Sequence, residues 1–244
     1  MNFVLKRGIM YTWSHIGENI QKEESVMIIT TQGMSHFYNG LGNQDLGFEG
    51  KRTLVILDGC SKSNYPEVGT RLFAQIFQRK EDWENPEKFE ENVKETFDDI
   101  IKFSEINFQG EEEKFIRDNM AFTIIACFKT EESYIVKILG DGYIVTQNAY
   151  GLISYTNFTY GNCPPYYAYR YIKENDYPIK EFTTVVFDRK KFLKIAIATD
   201  GITPFARELL KDKDQALIDG MSVSVKTAIS RNKFSDDATI ALFD

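Results

Sequence analysis

Arg52-Thr53-Leu54-Val55-Ile56-Leu57-Asp58-Gly59-Cys60-Ser61 reads as a buried strand that ends in a carboxylate. Thr53 to Leu57 are apolar or β-branched and bounded by charge, the signature of a strand covered on both faces. An aspartate at such a strand end, followed by a residue without a side chain, can offer a cation both a carboxylate and a backbone carbonyl. The competing reading is a hairpin turn, for which Asp-Gly is a strong local signal. Here no strand returns: Cys60 to Asn64 is a polar loop, and Glu67 to Lys80 has helical spacing through Val68, Leu72, Ile76 and Phe77.

Working outward, Val26 to Thr31 reads as a strand and Gln32 to Asp45 as a loop. The glycines of that loop do not spell the dinucleotide fingerprint, since Asp45 stands three beyond Gly42. Pro86 to Asn107 reads as a second helix with Phe89, Val93, Phe97, Ile100 and Ile101 on one face, a core stripe. Glu111-Glu112-Glu113 fits a solvated first helical turn. Strands then follow at Phe122–Phe128, Tyr134–Leu139, Tyr143–Gln147 and Leu152–Tyr155. The gaps are too short for parallel crossovers, so the neighbours are antiparallel. Phe182–Phe187 and Phe192–Thr199 form another hairpin around Asp188-Arg189-Lys190-Lys191, and Asp141-Gly142 is also explained by a hairpin. Leu209 to Arg231 reads as helix and Thr239 to Phe243 as a last strand. Residues 1–24 form an arm, residues 156–180 are an irregular Tyr-rich excursion, and the whole, 1–244, is one domain without linker or repeat.

Composition narrows the function classes. A 244-residue chain with 43% hydrophobic and 14% aromatic residues has a sizeable core. A net charge of −7 argues against nucleic-acid or anionic-membrane partners. No apolar run approaches the ~20 residues that span a bilayer, and Met1 to Gly8 lacks the features of a signal peptide. Cys60, Cys127 and Cys163 are scattered and odd in number, which reads as free thiols in a reducing cytoplasm. With only His15 and His36, a metal site must use carboxylates, favouring magnesium or manganese over zinc.

The aspartates supply the pattern. Asp58 follows Val55-Ile56-Leu57, Asp141 follows Ile138-Leu139-Gly140, and Asp200 follows Ala196-Ile197-Ala198-Thr199. Asp236 and Asp237 precede the last strand, and Asp45 precedes the central one. Singly each is a turn former or helix cap. As a set, carboxylates at strand ends remote in sequence are what a hard, oxygen-ligated cation requires.

Leu57-Asp58-Gly59, Leu139-Gly140-Asp141-Gly142, Ala198-Thr199-Asp200-Gly201 and Asp236-Asp237-Ala238-Thr239, in this order, resemble the metal-dependent protein phosphatase 2C family. Asn43-Gln44-Asp45 resembles its N-terminal acidic motif, and the similarity spans about residues 30–244, closest to the divergent bacterial branch. The resemblance implies an α+β fold, a four-layer α-β-β-α sandwich of two antiparallel sheets flanked by helices. It implies a serine/threonine protein phosphatase holding two Mn2+ or Mg2+ ions, acting on a phosphorylated protein, the substrate of a Ser/Thr kinase. Carried over by position, Asp58 would bridge two ions with the Gly59 carbonyl on one, and Asp200 and Asp236 would hold the other. Asp141 would hold a weaker third ion, and Asp45 would act in support. Residues 156–180 fall where the family carries a variable flap.

Three departures stand out. Gln44 occupies a position usually held by glutamate. The phosphate-binding arginine has no counterpart, since Gly40 is at its offset; His36 or Lys62 is the candidate replacement. A histidine proposed as general acid in some members aligns with Cys60. Two alternatives follow: a binding module that keeps the fold without turnover, and a hydrolase of small phosphate esters.

Overall fold

The computed structural model describes residues 26–160, 163–173, 176–203 and 235–243. The expected N-terminal arm and the helix expected over 209–231 lie outside the described residues. The elements are β1 (Val26–Thr31), α1 (Met34–Tyr38), β2 (Leu46–Glu49), β3 (Thr53–Gly59), α2 (Pro66–Phe77), α3 (Phe89–Asn107) and α4 (Glu112–Asn119). There follow β4 (Phe122–Lys129), β5 (Ser133–Leu139), β6 (Gly142–Asn148), β7 (Ile153–Phe158), β8 (Thr183–Asp188), β9 (Phe192–Ala198) and β10 (Ala238–Phe243).

The strands make two five-stranded sheets, β1-β10-β9-β6-β7 and β2-β3-β4-β5-β8, with every neighbouring pair antiparallel. The period-2 alternation of strand side chains decides what each face meets. On β3, Leu54 and Ile56 point between the sheets, where they join Ile125, Ile138, Ile144 and Ile197. Val55 and Leu57 point the other way, into a core with Phe73 and Phe77 of α2 and Phe89, Val93 and Phe97 of α3. The central strand is therefore buried on both faces, which is why it reads as a continuous apolar run. Helices α2, α3 and α4 cover this second sheet. The sequence reading of two antiparallel sheets flanked by helices holds.

Two local readings do not. Asp141-Gly142 is not a hairpin: β5 belongs to one sheet and β6 to the other. Gly140 and Gly142 have φ of +106° and +140°, and a Cβ on Gly142 would lie 2.5 Å from Ile125 Cδ1 and 2.7 Å from the Ala198 carbonyl oxygen. The chain crosses between sheets through a passage that only glycine fits. The Asp188–Lys191 turn likewise leads from β8 in one sheet to β9 in the other. Its backbone closes as a hairpin turn would, with Lys191 N–H donating to the Asp188 carbonyl at 3.0 Å, so turn chemistry alone does not name the partner strand. Within the segment read as loop, the short α1 is added, and β2 follows it; both are too brief for a periodicity signal.

Candidate metal centre

Sheet crossing and strand ends bring the aspartates together. Asp58 is the penultimate residue of β3, Asp141 lies in the β5–β6 crossing, Asp200 follows β9, and Asp236 precedes β10. All four line one cleft of about 530 Å³ at one end of the sandwich, with Gly59, Lys62 and Thr123. Gly59 is required by space, because a Cβ there would lie 2.9 Å from the Gln44 carbonyl oxygen and from Pro66 Cβ. Gly201 is required likewise: its Cβ would fall 1.8 Å from the Asp237 carbonyl oxygen. The glycines after Asp58 and Asp200 thus let the neighbouring loops approach.

The electrostatics are those of crowded anions. Burial, then the charges of Asp45, Asp200 and Asp141, raise the Asp58 carboxyl well above the usual carboxylate range. Burial and Asp237 push Asp45 up to about 8 against the opposing hydrogen bond from Thr199. Burial and Asp200 raise Asp141 to about 6. Asp200 reaches solvent on one side, yet the cleft walls and Asp236 still raise it. A neighbouring like charge and low dielectric both favour the protonated form, and a divalent cation relieves both.

Behind the cleft, Asp45 is buried, and Thr199 Oγ1 donates to its Oδ2 at 2.8 Å. Asp45 Oδ1 and Gln44 Oε1 are buried oxygens that receive no hydrogen bond from the described residues. Buried acceptors behind a carboxylate-lined cleft fit a site whose cation would carry waters to hydrogen-bond them. Among the described residues no three acidic, His or Cys side chains converge into a ready-made ion cage.

His36 and Lys62 part company. Lys62 lines the cleft, whereas His36 is buried on α1 with Nδ1 2.9 Å from Asp237 Oδ2, and it does not line the cleft. Arg117 of α4, which the sequence reading did not single out, lines it too and pairs with Glu113 at 2.7 Å. Residues 156–158 of the expected excursion belong instead to β7, and the part from Cys163 folds back on the helix side: Tyr167 packs on Phe97 with centroids 4.8 Å apart, and Tyr171 donates to Asp98 at 2.7 Å. Tyr166 and Tyr169 belong to the same core and also form a wall of the cleft. Cys60 lines the cleft beside Tyr166. Asp237 and Thr199 were missed as a pair of braces, although both stand next to an aspartate that the sequence singles out.

Two antiparallel sheets flanked by helices, with an aspartate-lined cleft at the strand ends, agree with the class that comparison with known proteins assigns, a phosphoprotein phosphatase. The chain belongs to the protein phosphatase 2C family: the family model described as Protein phosphatase 2C matches residues 32–234. Solved structures agree on the fold. The Mycobacterium tuberculosis serine/threonine phosphatase PstP/Ppp superposes with a TM-score of 0.61 at 16% identity, covering 91% of this chain and 98% of that one. The catalytic domain of PstP in complex with two manganese ions gives 0.60 at 13% identity, with 91% and 97% covered. Staphylococcus aureus Stp1, titled a serine/threonine phosphatase, gives 0.56 at 14%, with 96% and 98% covered. No curated protein sequence gives a significant match. No described helix is long and apolar enough to cross a membrane.

Proposed function

We propose that this chain is a metal-dependent serine/threonine protein phosphatase, one domain that removes phosphate from phosphoserine and phosphothreonine in proteins. The observation that carries the reading is the convergence of Asp58, Asp141, Asp200 and Asp236, from four strand ends remote in sequence, on one cleft. Two Mn2+ or Mg2+ ions would be held by Asp58, the Gly59 carbonyl, Asp200 and Asp236, with Asp141 serving a weaker third. When bound, such ions supply an activated water and positive charge for the phosphoryl oxygens.

The chain's own residues do the rest. Asp58, pressed by three like charges, is the carboxylate with most to gain from a shared cation. Asp45 holds Thr199, and with it the turn into Asp200. Gln44 offers a buried acceptor without adding another charge to the Asp45–Asp58–Asp237 group. Lys62 stands at the cleft to meet the phosphate, the role that His36, turned to Asp237, does not fill. Tyr166 and Tyr169 shield one side of the cleft from bulk water. Free thiols at Cys60, Cys127 and Cys163 support a reducing cytoplasm, where the enzyme would oppose a Ser/Thr kinase.

Phosphate release from a phosphoserine peptide and from small phosphate esters, by metal-stripped protein with and without Mn2+, tests the reading. Turnover is expected only with the metal, with the higher kcat/KM on the peptide. Metal-independent turnover, or a clear preference for small metabolites, overturns it.

A further inference from the structure

The loop that presents Asp236 is tied down by its neighbour. The Asp237 side chain is 2% exposed, so its carboxylate has left water almost completely. Such burial is costly unless the charge is paired and hydrogen-bonded. Two backbone N–H groups answer it directly and a histidine stands beside it, each from a different place in the sequence. Gly33 N–H donates to Oδ1 at 2.7 Å, and Gln44 N–H donates to Oδ2 at 2.6 Å. His36 Nδ1 stands 2.9 Å from Oδ2. The segments are pressed close as well as bonded: a Cβ on Gly33 would lie 2.2 Å from the Asp236 carbonyl carbon, and Ser35 N–H donates to the Ser235 carbonyl at 3.1 Å.

One carboxylate therefore joins the Asp236 turn to the β1–α1 loop, to α1, and to the segment that delivers Asp45. From Asp45 the connection runs on through Thr199 Oγ1, which also accepts Thr239 N–H at 2.9 Å. Asp236 and Asp200, the ends of β10 and β9, are thus referred to a common frame. We infer that Asp237, clasped by Gly33, Gln44 and His36, is a positioning residue that sets Asp236 against the Gln44–Asp45 segment. The inference rests on the metal reading above, because what it positions is the ligand set. A residue of this kind acts on the affinity of the site beyond any effect on the fold.

The test is Mn2+ binding by isothermal titration calorimetry to metal-stripped wild type, Asp237→Ala, Asp237→Asn and His36→Ala, with circular dichroism to establish folding. Asp237→Ala should bind Mn2+ at least about tenfold more weakly, the range typical when a partner orienting a ligand is lost. Asp237→Asn should lose less, since its amide oxygen still accepts one of the two N–H groups. His36→Ala should also weaken binding. It removes no negative charge, so a loss there cannot come from a smaller anionic field. Folded variants that bind Mn2+ with wild-type affinity overturn the positioning role. If Asp237→Ala fails to fold, wild-type affinity in both Asp237→Asn and His36→Ala overturns it equally. Wild-type protein that takes up no Mn2+ overturns the metal reading, and the positioning role with it.

Discussion

Replacing Asp45 with asparagine tests the electrostatics of the cleft without any measurement of turnover. Asp45 is buried, and its carboxyl is pushed from 3.8 up to about 8 by that burial and by Asp237, against the hydrogen bond from Thr199. Between those values the folded protein keeps a proton that the unfolded chain has lost. Stability of the metal-free protein must then fall as pH rises from about 4 to about 8. At about 1.4 kcal/mol per pH unit the full span corresponds to roughly 6 kcal/mol, an upper bound shared with Asp58, which Asp45 opposes directly. A third of it, about 2 kcal/mol, moves the melting temperature of a domain this size by about 4–8 °C. Asparagine keeps an oxygen to accept from Thr199 and carries no charge. In EDTA, calorimetric melts from pH 5 to 8 should show a falling wild-type Tm and a flatter curve for Asp45→Asn. At pH 8 the variant should melt at least about 4 °C higher. An Asp45→Asn protein that melts below wild type throughout, with the same pH slope, would refute the reasoning.

Asp58→Asn and Asp200→Asn should each lose at least about 100-fold in rate, close to 3 kcal/mol of barrier, measured on a phosphoserine peptide with Mn2+. Their metal-free Tm should stay level or rise, because each removes one of several mutually repelling charges; loss of activity by unfolding would contradict this. Asp141→Asn should be milder in the same assay, as the ion assigned to it is the weak one. Gln44→Glu should lower the Mn2+ concentration for half-maximal activity, since its side-chain oxygen is buried beside the cluster without a donor. An unchanged or higher requirement would mean that position 44 does not act on the metals.

The fold was legible where burial writes a pattern. The β3 run, the face of α3 and the apolar β4 are double-sided or one-sided cores, and each leaves its own period in the sequence, whereas on α2 the buried side is Gly69, Phe73 and Phe77, and Val68 of the expected stripe is exposed. The pairing of sheets was not legible at Gly140-Asp141-Gly142 or Asp188–Lys191, because a sheet crossing and a hairpin use the same short turn chemistry. Only the facing partners, Ile125 and Ala198 at Gly142, make the first a crossing. The aspartates were legible because each ends an apolar run. Asp237 was quoted in its motif, yet its purpose depends on Gly33, His36 and Gln44, about 200 residues away in the chain. His36 is the same case: a histidine in a polar loop reads either as a residue that orders the loop or as a phosphate ligand, and only its buried partner Asp237 favours the first.

The central claim, that this cleft is a metal-dependent phosphatase centre, is tested most directly by the manganese anomalous signal of crystals grown from metal-stripped protein and soaked in Mn2+. Two strong peaks are expected in the cleft, one shared by Asp58 and the Gly59 carbonyl and the other by Asp58, Asp200 and Asp236. An empty cleft, or manganese bound only elsewhere on a protein that still hydrolyses phosphoserine peptides, would contradict the account.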